Sequence, residues 1–385
     1  MAKALTLEIL DQLISFDTTS CNSNLELMSY VQRFLEDHGV TSNLVYDGLE
    51  SKANLYATIG PQDKAGVMLS GHTDTVPVTG QNWTTDPYQL SEQDGRYFGR
   101  GTSDMKGFIS VVLAAVPEMV KQKLHTPIHL AFSYDEEIGC VGVRRLIDTM
   151  QSFPLQPAVC IIGEPTSMQV VTAHKGKLAA RVTVTGKECH SGMAPLGVNA
   201  INYAARMITW LEQLAQEKKL NGPFENSYDI PHSTVHTGTV QGGTALNIVP
   251  KKCNFLFEIR NIATEDPRDL LALLQSYADE LIAEMQQVDS SCDINIEIIT
   301  EYPGLSTPSD AEVAAFVRKL AQSVASANIN FGTEGGLFSS VLGIPTVVCG
   351  PGSMDQGHKP DEFIHISQLQ QCEAFMARLI NELSA

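Results

Sequence analysis

The sequence predicts an α/β protein: a largely parallel sheet with flanking helices, interrupted by an inserted βαββαβ unit. Three observations carry this. Apolar runs of strand length alternate with helical periodicities up to about Lys177. The strands then become half-exposed and alternating, and from Pro303 the earlier pattern returns. A chain of 385 residues is also long for a single core, so two domains are expected.

The elements follow in order. Leu7, Leu10, Leu13 and Ile14, then Leu27, Tyr30, Val31 and Leu35, fall at helical spacing and predict helix from Leu5 to about His38. Val45-Tyr46 and Leu55 to Ile59 read as strands around an Asp47-Gly48 turn, and Val67 to Gly71 as a third. Met105 to about Val120 reads as a helix with Ile109, Val112, Leu113 and Val116 on one face. Pro127 to Tyr134 and Ala158 to Gly163 are apolar strands. Strands alternating with helices imply parallel pairing.

In the insert, Ala179 to Thr185 alternates as a half-exposed strand, with Val182 and Val184 on one side. Asn199 to Leu214 is an amphipathic helix, followed by strands near Ser233–Val240 and Cys253–Ile259. A helix from about Pro267 to Met285 and a strand over Ile294–Ile299 complete a ferredoxin-like order. Beyond it, a helix is expected over Asp310–Val324, a glycine-rich turn at Gly332–Gly336, a core strand at Ile344–Cys349 and a last helix from Ile366 to Leu383. The expected domains are therefore 1–177 and 303–385 as one discontinuous catalytic domain, and 178–302 as the insert.

Bulk properties narrow the function. A formal charge of −18 lacks the basic footprint of a nucleic-acid binder. The eight cysteines include no C-x-x-C pair and are scattered, which disfavours a zinc ribbon or a secreted disulfide scaffold. The N-terminus lacks a signal-peptide apolar region and no run is long enough to span a bilayer. A cytoplasmic setting without membrane partners is the expectation.

The chemistry starts at Val67–Gly71, which breaks into His72-Thr73-Asp74. Alternate residues of an extended chain point the same way, so Asp74 can accept the second ring N–H of His72 and fix its tautomer. One histidine and one carboxylate equally suit a plain strand end with a satisfied histidine. Further polar clusters follow other apolar strands: Asp135-Glu136-Glu137, Glu164, and His358 beyond Val347–Gly350. Asp104 stands at a helix start. Ligands of open α/β sheets bind beyond the carboxyl ends of strands, so all five segments can share one rim. Two histidines with several carboxylates suit two divalent ions, zinc first and cobalt as the alternative.

These residues resemble a known family. Ser70-Gly71-His72-Thr73-Asp74-Thr75-Val76-Pro77, Gly101-Thr102-Ser103-Asp104-Met105-Lys106-Gly107 and Asp135-Glu136-Glu137 resemble the co-catalytic zinc metallopeptidases. That family includes aminoacylase, glutamate carboxypeptidase, succinyl-diaminopimelate desuccinylase and acetylornithine deacetylase. Ile161-Ile162-Gly163-Glu164-Pro165-Thr166-Ser167, Ala173-His174-Lys175-Gly176, Gly197-Val198-Asn199-Ala200-Ile201 and Gly350-Pro351-Gly352-Ser353 with His358-Lys359-Pro360-Asp361-Glu362 look most like its deacetylases. The resemblance implies that His72 and Glu164 hold one metal, Glu137 and His358 the other, and that Asp104 bridges them. It makes Asp74 the support of His72 and Glu136 the general base, and it implies a cis peptide between Asp104 and Met105. Neighbouring residues point apart, so Glu137 can face an ion while Glu136 faces the attacking water.

In the insert, His190 resembles the family histidine that stabilises an oxyanion across a dimer interface. Asn247 and Arg260 resemble its binders of a substrate carboxylate, and an arginine fork suits that group. Gly332-Thr333-Glu334-Gly335-Gly336 can offer backbone N–H groups to a carboxylate, with Thr333 in the turn and Glu334 facing a substrate ammonium. The insert is by this resemblance a lid and dimerisation domain of a homodimer. Cys189 departs from the small residue usual before this histidine, and Asn247-Ile248-Val249-Pro250 looks closer to the desuccinylase and aminoacylase branches. The implied activity is hydrolysis of a small N-acyl amino acid, N2-acetyl-L-ornithine first, with other N-acyl amino acids, succinyl-diaminopimelate or a dipeptide as rivals. A binding protein that has lost catalysis would not need Glu136, and neither would a structural metal site. No G-x-S-x-G segment supports a serine hydrolase.

Overall fold

The computed structural model describes residues 3–324 and 326–384. Met1 and Ala2, which open the N-terminal stretch considered for an export signal, lie outside the described residues, as do Ala325 and Ala385. The chain divides into two units: Met1–Ala173, Leu305–Asn328 and Thr333–Ala385 form one, and His174–Gly304 with Ile329–Gly332 the other.

The first unit is built on a nine-stranded sheet. Its centre is parallel, in the order Ile128–Ser133, Val67–His72, Val159–Pro165 and Thr346–Gly350. All residues of Val67–His72 and Ile128–Ser133 are buried, which explains why apolar residues occupy both faces of each strand. Ala53–Ile59 and Ser42–Tyr46 extend the sheet antiparallel at one side. The two innermost strands on the other side approach closely: a Cβ on Gly350 would lie 2.0 Å from the Gly163 carbonyl oxygen. Glycine at 350 thus brings the strand that leads to His358 against the strand that carries Glu164.

Helix Lys106–Lys121 packs on the central strands and between helices Ala4–Ser15 and Ile366–Ser384. It is buried nearly all round, with Phe108, Ile109, Val112 and Val116 in one core with Leu10, Leu13, Phe375 and Leu379. The predicted helix from Leu5 to His38 is two helices, Ala4–Ser15 and Leu25–Asp37. The break falls in the polar run Asp17-Thr18-Thr19-Ser20. There the Asp17 carboxylate accepts from the Thr19 N–H and hydroxyl, a local bond that competes with helix. Helices Val143–Met150 and Gly335–Leu342, and strand Val170–His174, were not anticipated. Eight residues are too few for a periodicity to stand out. A small sheet of Ser91–Gln93, Arg96–Phe98 and Phe363–His365 was also missed.

The second unit is a four-stranded antiparallel sheet in the order Thr234–Gly242, Lys252–Arg260, Lys177–Thr185, Asp293–Tyr302. Helices Ala200–Asn221 and Pro267–Gln286 cover its apolar side. Alternation in Lys177–Thr185 puts Leu178, Ala180, Val182 and Val184 into that core, with Met207, Leu211, Leu274 and Leu281 facing them. Asn199 and Asp266 cap the two helices by accepting N–H groups of their first turns. Among the described residues no helix is long and apolar enough to cross a membrane.

Candidate metal centre

The four parallel strands of the first unit end at one rim. His72 closes its strand, Ser133 leads to Asp135-Glu136-Glu137, Glu164 is next to last in its strand, and Gly350 leads to His358. Asp104 lies just before helix Lys106–Lys121, and its peptide bond to Met105 is cis, as the resemblance implies.

The side chains meet. His72 Nε2 lies 3.0 Å from Asp104 Oδ1 and 3.5 Å from Glu164 Oε1. His358 Nε2 lies 3.1 Å from Asp104 Oδ2 and 3.0 Å from Glu137 Oε2. The two oxygens of Asp104 thus face two different histidines. Ligand atoms of His72, Glu136 and Glu164, and of His72, Asp104 and Glu137, lie within 4.8 Å of one another in each group. His72, Asp104 and Glu164 are almost wholly buried, whereas the His358 side chain is 44% exposed.

Asp74 supports the centre in a way the strand argument did not foresee. The strand ends at His72, so alternation does not continue to Asp74. The Asp74 carbonyl oxygen, 2.9 Å away, is the nearer acceptor for His72 Nδ1, with the carboxylate at 3.5 Å. Either contact leaves Nε2 as the nitrogen turned to Asp104 and Glu164. The carboxylate instead accepts the Ser20 hydroxyl at 2.7 Å and the N–H groups of Glu136 and Glu137 at 3.1 and 3.3 Å. It therefore sets the backbone from which the two glutamates diverge. Lys52 steadies the same turn by donating to Asp135 at 2.6 Å.

The electrostatics fit cations. Burial pushes Glu136 and Glu164 well above the usual carboxylate range, and burial with repulsion from Asp104 brings Glu137 up to about 7. Hydrogen bonds to Asp104 and Glu137 raise His358 to about 10. Burial opposes ionisation of Asp104, but its bonds to His358 and His72 hold it well below the usual range. Glu137 Oε1 is buried with no hydrogen-bond partner. Divalent ions among these groups would relieve the carboxylate repulsion and give that oxygen a partner. Imidazole and carboxylate without thiolate is a donor set for zinc, cobalt or manganese rather than for a soft ion.

The other predicted residues divide between the two units. Thr333 and Glu334 belong to the first unit and are buried. Thr333 Oγ1 accepts from the Gly335 N–H, and the Glu334 carboxylate accepts from the Ser133 hydroxyl at 2.5 Å. Burial raises Glu334 to about 7. His190, Asn247 and Arg260 belong to the second unit. His190 is exposed and its Nδ1 accepts the Gly192 N–H at 3.1 Å, which in the neutral ring leaves the proton on Nε2. Asn247 is exposed, and its carbonyl accepts the Ser191 N–H. Arg260 is half-buried, paired with Glu258 at 3.1 Å and the Tyr302 hydroxyl at 2.8 Å. Sequence reasoning overlooked Cys140, buried with its sulfur 3.4 Å from Glu136 Oε1, and Ser20 and Lys52. No spacing signals such contacts.

The family model of peptidase family M20/M25/M40 matches residues 68–382. The acetylornithine deacetylase of Myxococcus xanthus is 34% identical over 376 residues, covering 96% of this chain and 95% of that protein. The acetylornithine deacetylase of Pasteurella multocida is 32% identical, covering 96% and 94%. Among solved structures, an M20 family metallo-carboxypeptidase from Sulfolobus solfataricus superposes with a TM-score of 0.79 at 19% identity, covering 99% of each chain.

Proposed function

This chain is a metal-dependent amidohydrolase of peptidase family M20/M25/M40, and we propose that it removes the acetyl group from N2-acetyl-L-ornithine to give L-ornithine and acetate. The observation that carries the catalytic reading is Asp104, whose two oxygens lie 3.0 and 3.1 Å from the ring nitrogens of His72 and His358. A carboxylate shared in that way suits two ions. His72 and Glu164 would hold one, Glu137 and His358 the other, and zinc or cobalt fits the donors. The bound ions would supply the Lewis acidity that activates water and offsets charge growing on the amide oxygen.

The remaining steps belong to the chain. Asp74 keeps His72 in one tautomer and anchors the Glu136-Glu137 backbone. Glu136, beside the metal ligands and with its carboxyl raised by burial, takes a proton from the attacking water and returns it to the leaving amine. The His190 Nε2–H donates to the forming oxyanion. Asn247 and Arg260 bind the substrate carboxylate, the guanidinium leaving Glu258 in part to do so. Thr333 and Glu334 serve the substrate side, Glu334 by releasing Ser133 when an ammonium is bound. The segment 178–302 acts as lid and dimerisation domain between the catalytic segments 1–177 and 303–385, in a cytoplasmic homodimer. Eight free cysteines suit that reducing compartment.

A substrate panel on zinc-loaded protein tests this reading. Acetylornithine should be cleaved with a kcat/KM at least about tenfold above acetylmethionine, succinyl-diaminopimelate and dipeptides, a margin of about 1.4 kcal/mol. A preference for succinyl-diaminopimelate would move the proposal to the branch that Asn247-Ile248-Val249-Pro250 resembles.

A further inference from the structure

The turn that carries Asp104 is held by a residue from the far end of the chain. Glu362 is 1% exposed and follows the His358 loop. Its Oε1 accepts the backbone N–H groups of Ser103 at 2.9 Å and of Asp104 itself at 3.0 Å. Its Oε2 accepts the Gly101 N–H at 3.1 Å and the Arg100 guanidinium at 2.6 Å. Arg100 is also 1% exposed; it donates to Gln81 at 2.6 Å and lies over the Trp83 ring at 5.1 Å. The Glu362 carbonyl accepts the Gly99 N–H as well.

We infer that Glu362 is a positioning residue: it presets the Asp104 turn for metal and ties it to the segment that delivers His358. The inference rests on the proposed ligation by Asp104 and adds a residue to which that reading gives no role. Both oxygens of Glu362 are already engaged by two donors each, so it is not itself a ligand. Three backbone N–H groups of one turn point at a single carboxylate, and this leaves that turn little freedom to rotate the Asp104 side chain. Since Glu362 sits on the same loop as His358, a shift of either ligand segment strains the same set of bonds. Groups that hold metal ligands from behind typically contribute 10–100-fold to affinity.

Glutamine at 362 is a sharp probe. Whichever way its amide turns, the NH2 group meets two donors, either Ser103 and Asp104 N–H or Gly101 N–H and Arg100. Asp361 gives the control. It accepts the Thr84 and Thr85 N–H groups at 2.8 and 3.2 Å and ties the same loop down without touching the Asp104 turn.

The measurement is zinc retained by the whole 385-residue chain against graded chelator, with folding followed by circular dichroism. Glu362→Gln should weaken retention by about 10–100-fold. Arg100→Lys should shift it less in the same direction, and it carries the test if Glu362→Gln does not fold. Asp361→Asn should retain zinc like the unmodified protein, and Asp104→Asn should lose it. If Asp104→Asn loses zinc while folded Glu362→Gln, or Arg100→Lys in its place, does not, this inference fails and the ligation reading stands. It fails equally if Asp361→Asn loses zinc as readily as Glu362→Gln, because the effect is then general damage to the loop. Retention by Asp104→Asn would overturn both.

Discussion

Glu136→Gln should lower kcat by about 10²–10⁴ while leaving bound zinc close to that of the unmodified protein. The substitution is isosteric and keeps the backbone N–H that Asp74 accepts at 3.1 Å, so the fold of the turn has no reason to change. What it removes is the acceptor that takes a proton from water. Glu137→Gln makes the contrast: it alters a side chain that meets His358 at 3.0 Å, and metal should be lost with activity. Metal analysis beside steady-state kinetics separates the two. Ligand atoms of Glu136, His72 and Glu164 do lie within 4.8 Å of one another, so loss of an ion in Glu136→Gln would place Glu136 among the ligands and undo the division of labour between the glutamates.

The second large effect concerns His190. Its Nδ1 accepts the Gly192 N–H and the residue is exposed, which leaves an Nε2–H in the neutral ring as the donor. Removing one donor to an oxyanion typically costs about 2.7–4 kcal/mol of transition-state stabilisation, so His190→Ala should lower kcat by about 10²–10³ without loss of zinc. The proposal that this donor serves the partner's site has its own test. Inactive His190→Ala chains are mixed with inactive Glu136→Gln chains under conditions in which subunits exchange. A mixed dimer then holds one site with both defects and one with neither, and activity should return toward one intact site per mixed dimer. Demonstrated exchange without recovered activity would confine His190 to its own chain or to the turn that it caps.

Parts of this account were legible in the sequence for specific reasons. Val67–His72 and Ile128–Ser133 are buried on every residue and read as apolar runs, so the polar residues just past their ends stood out. The insert was legible because its strands have one wet face, as in Lys177–Thr185, and its helices carry clear stripes. Short elements such as Val143–Met150 gave too little periodicity. The set of bonds at Glu362 was invisible for another reason. It joins residues about 260 apart through backbone N–H groups, which every residue carries, so no residue type or spacing marks it. Asp74 lies beside His72, but its carboxylate serves Ser20, Glu136 and Glu137. That role depends on where the strand ends, and alternation alone does not say.

On the proposed reading, two ions shared through Asp104 make the chain a hydrolase. Protein stripped with chelator and titrated with zinc tests it most directly, following bound metal and acetylornithine cleavage together. Stripped protein should show no hydrolysis, activity should return on adding zinc or cobalt, and binding should saturate at two ions per chain. Full activity in rigorously metal-free protein would contradict it.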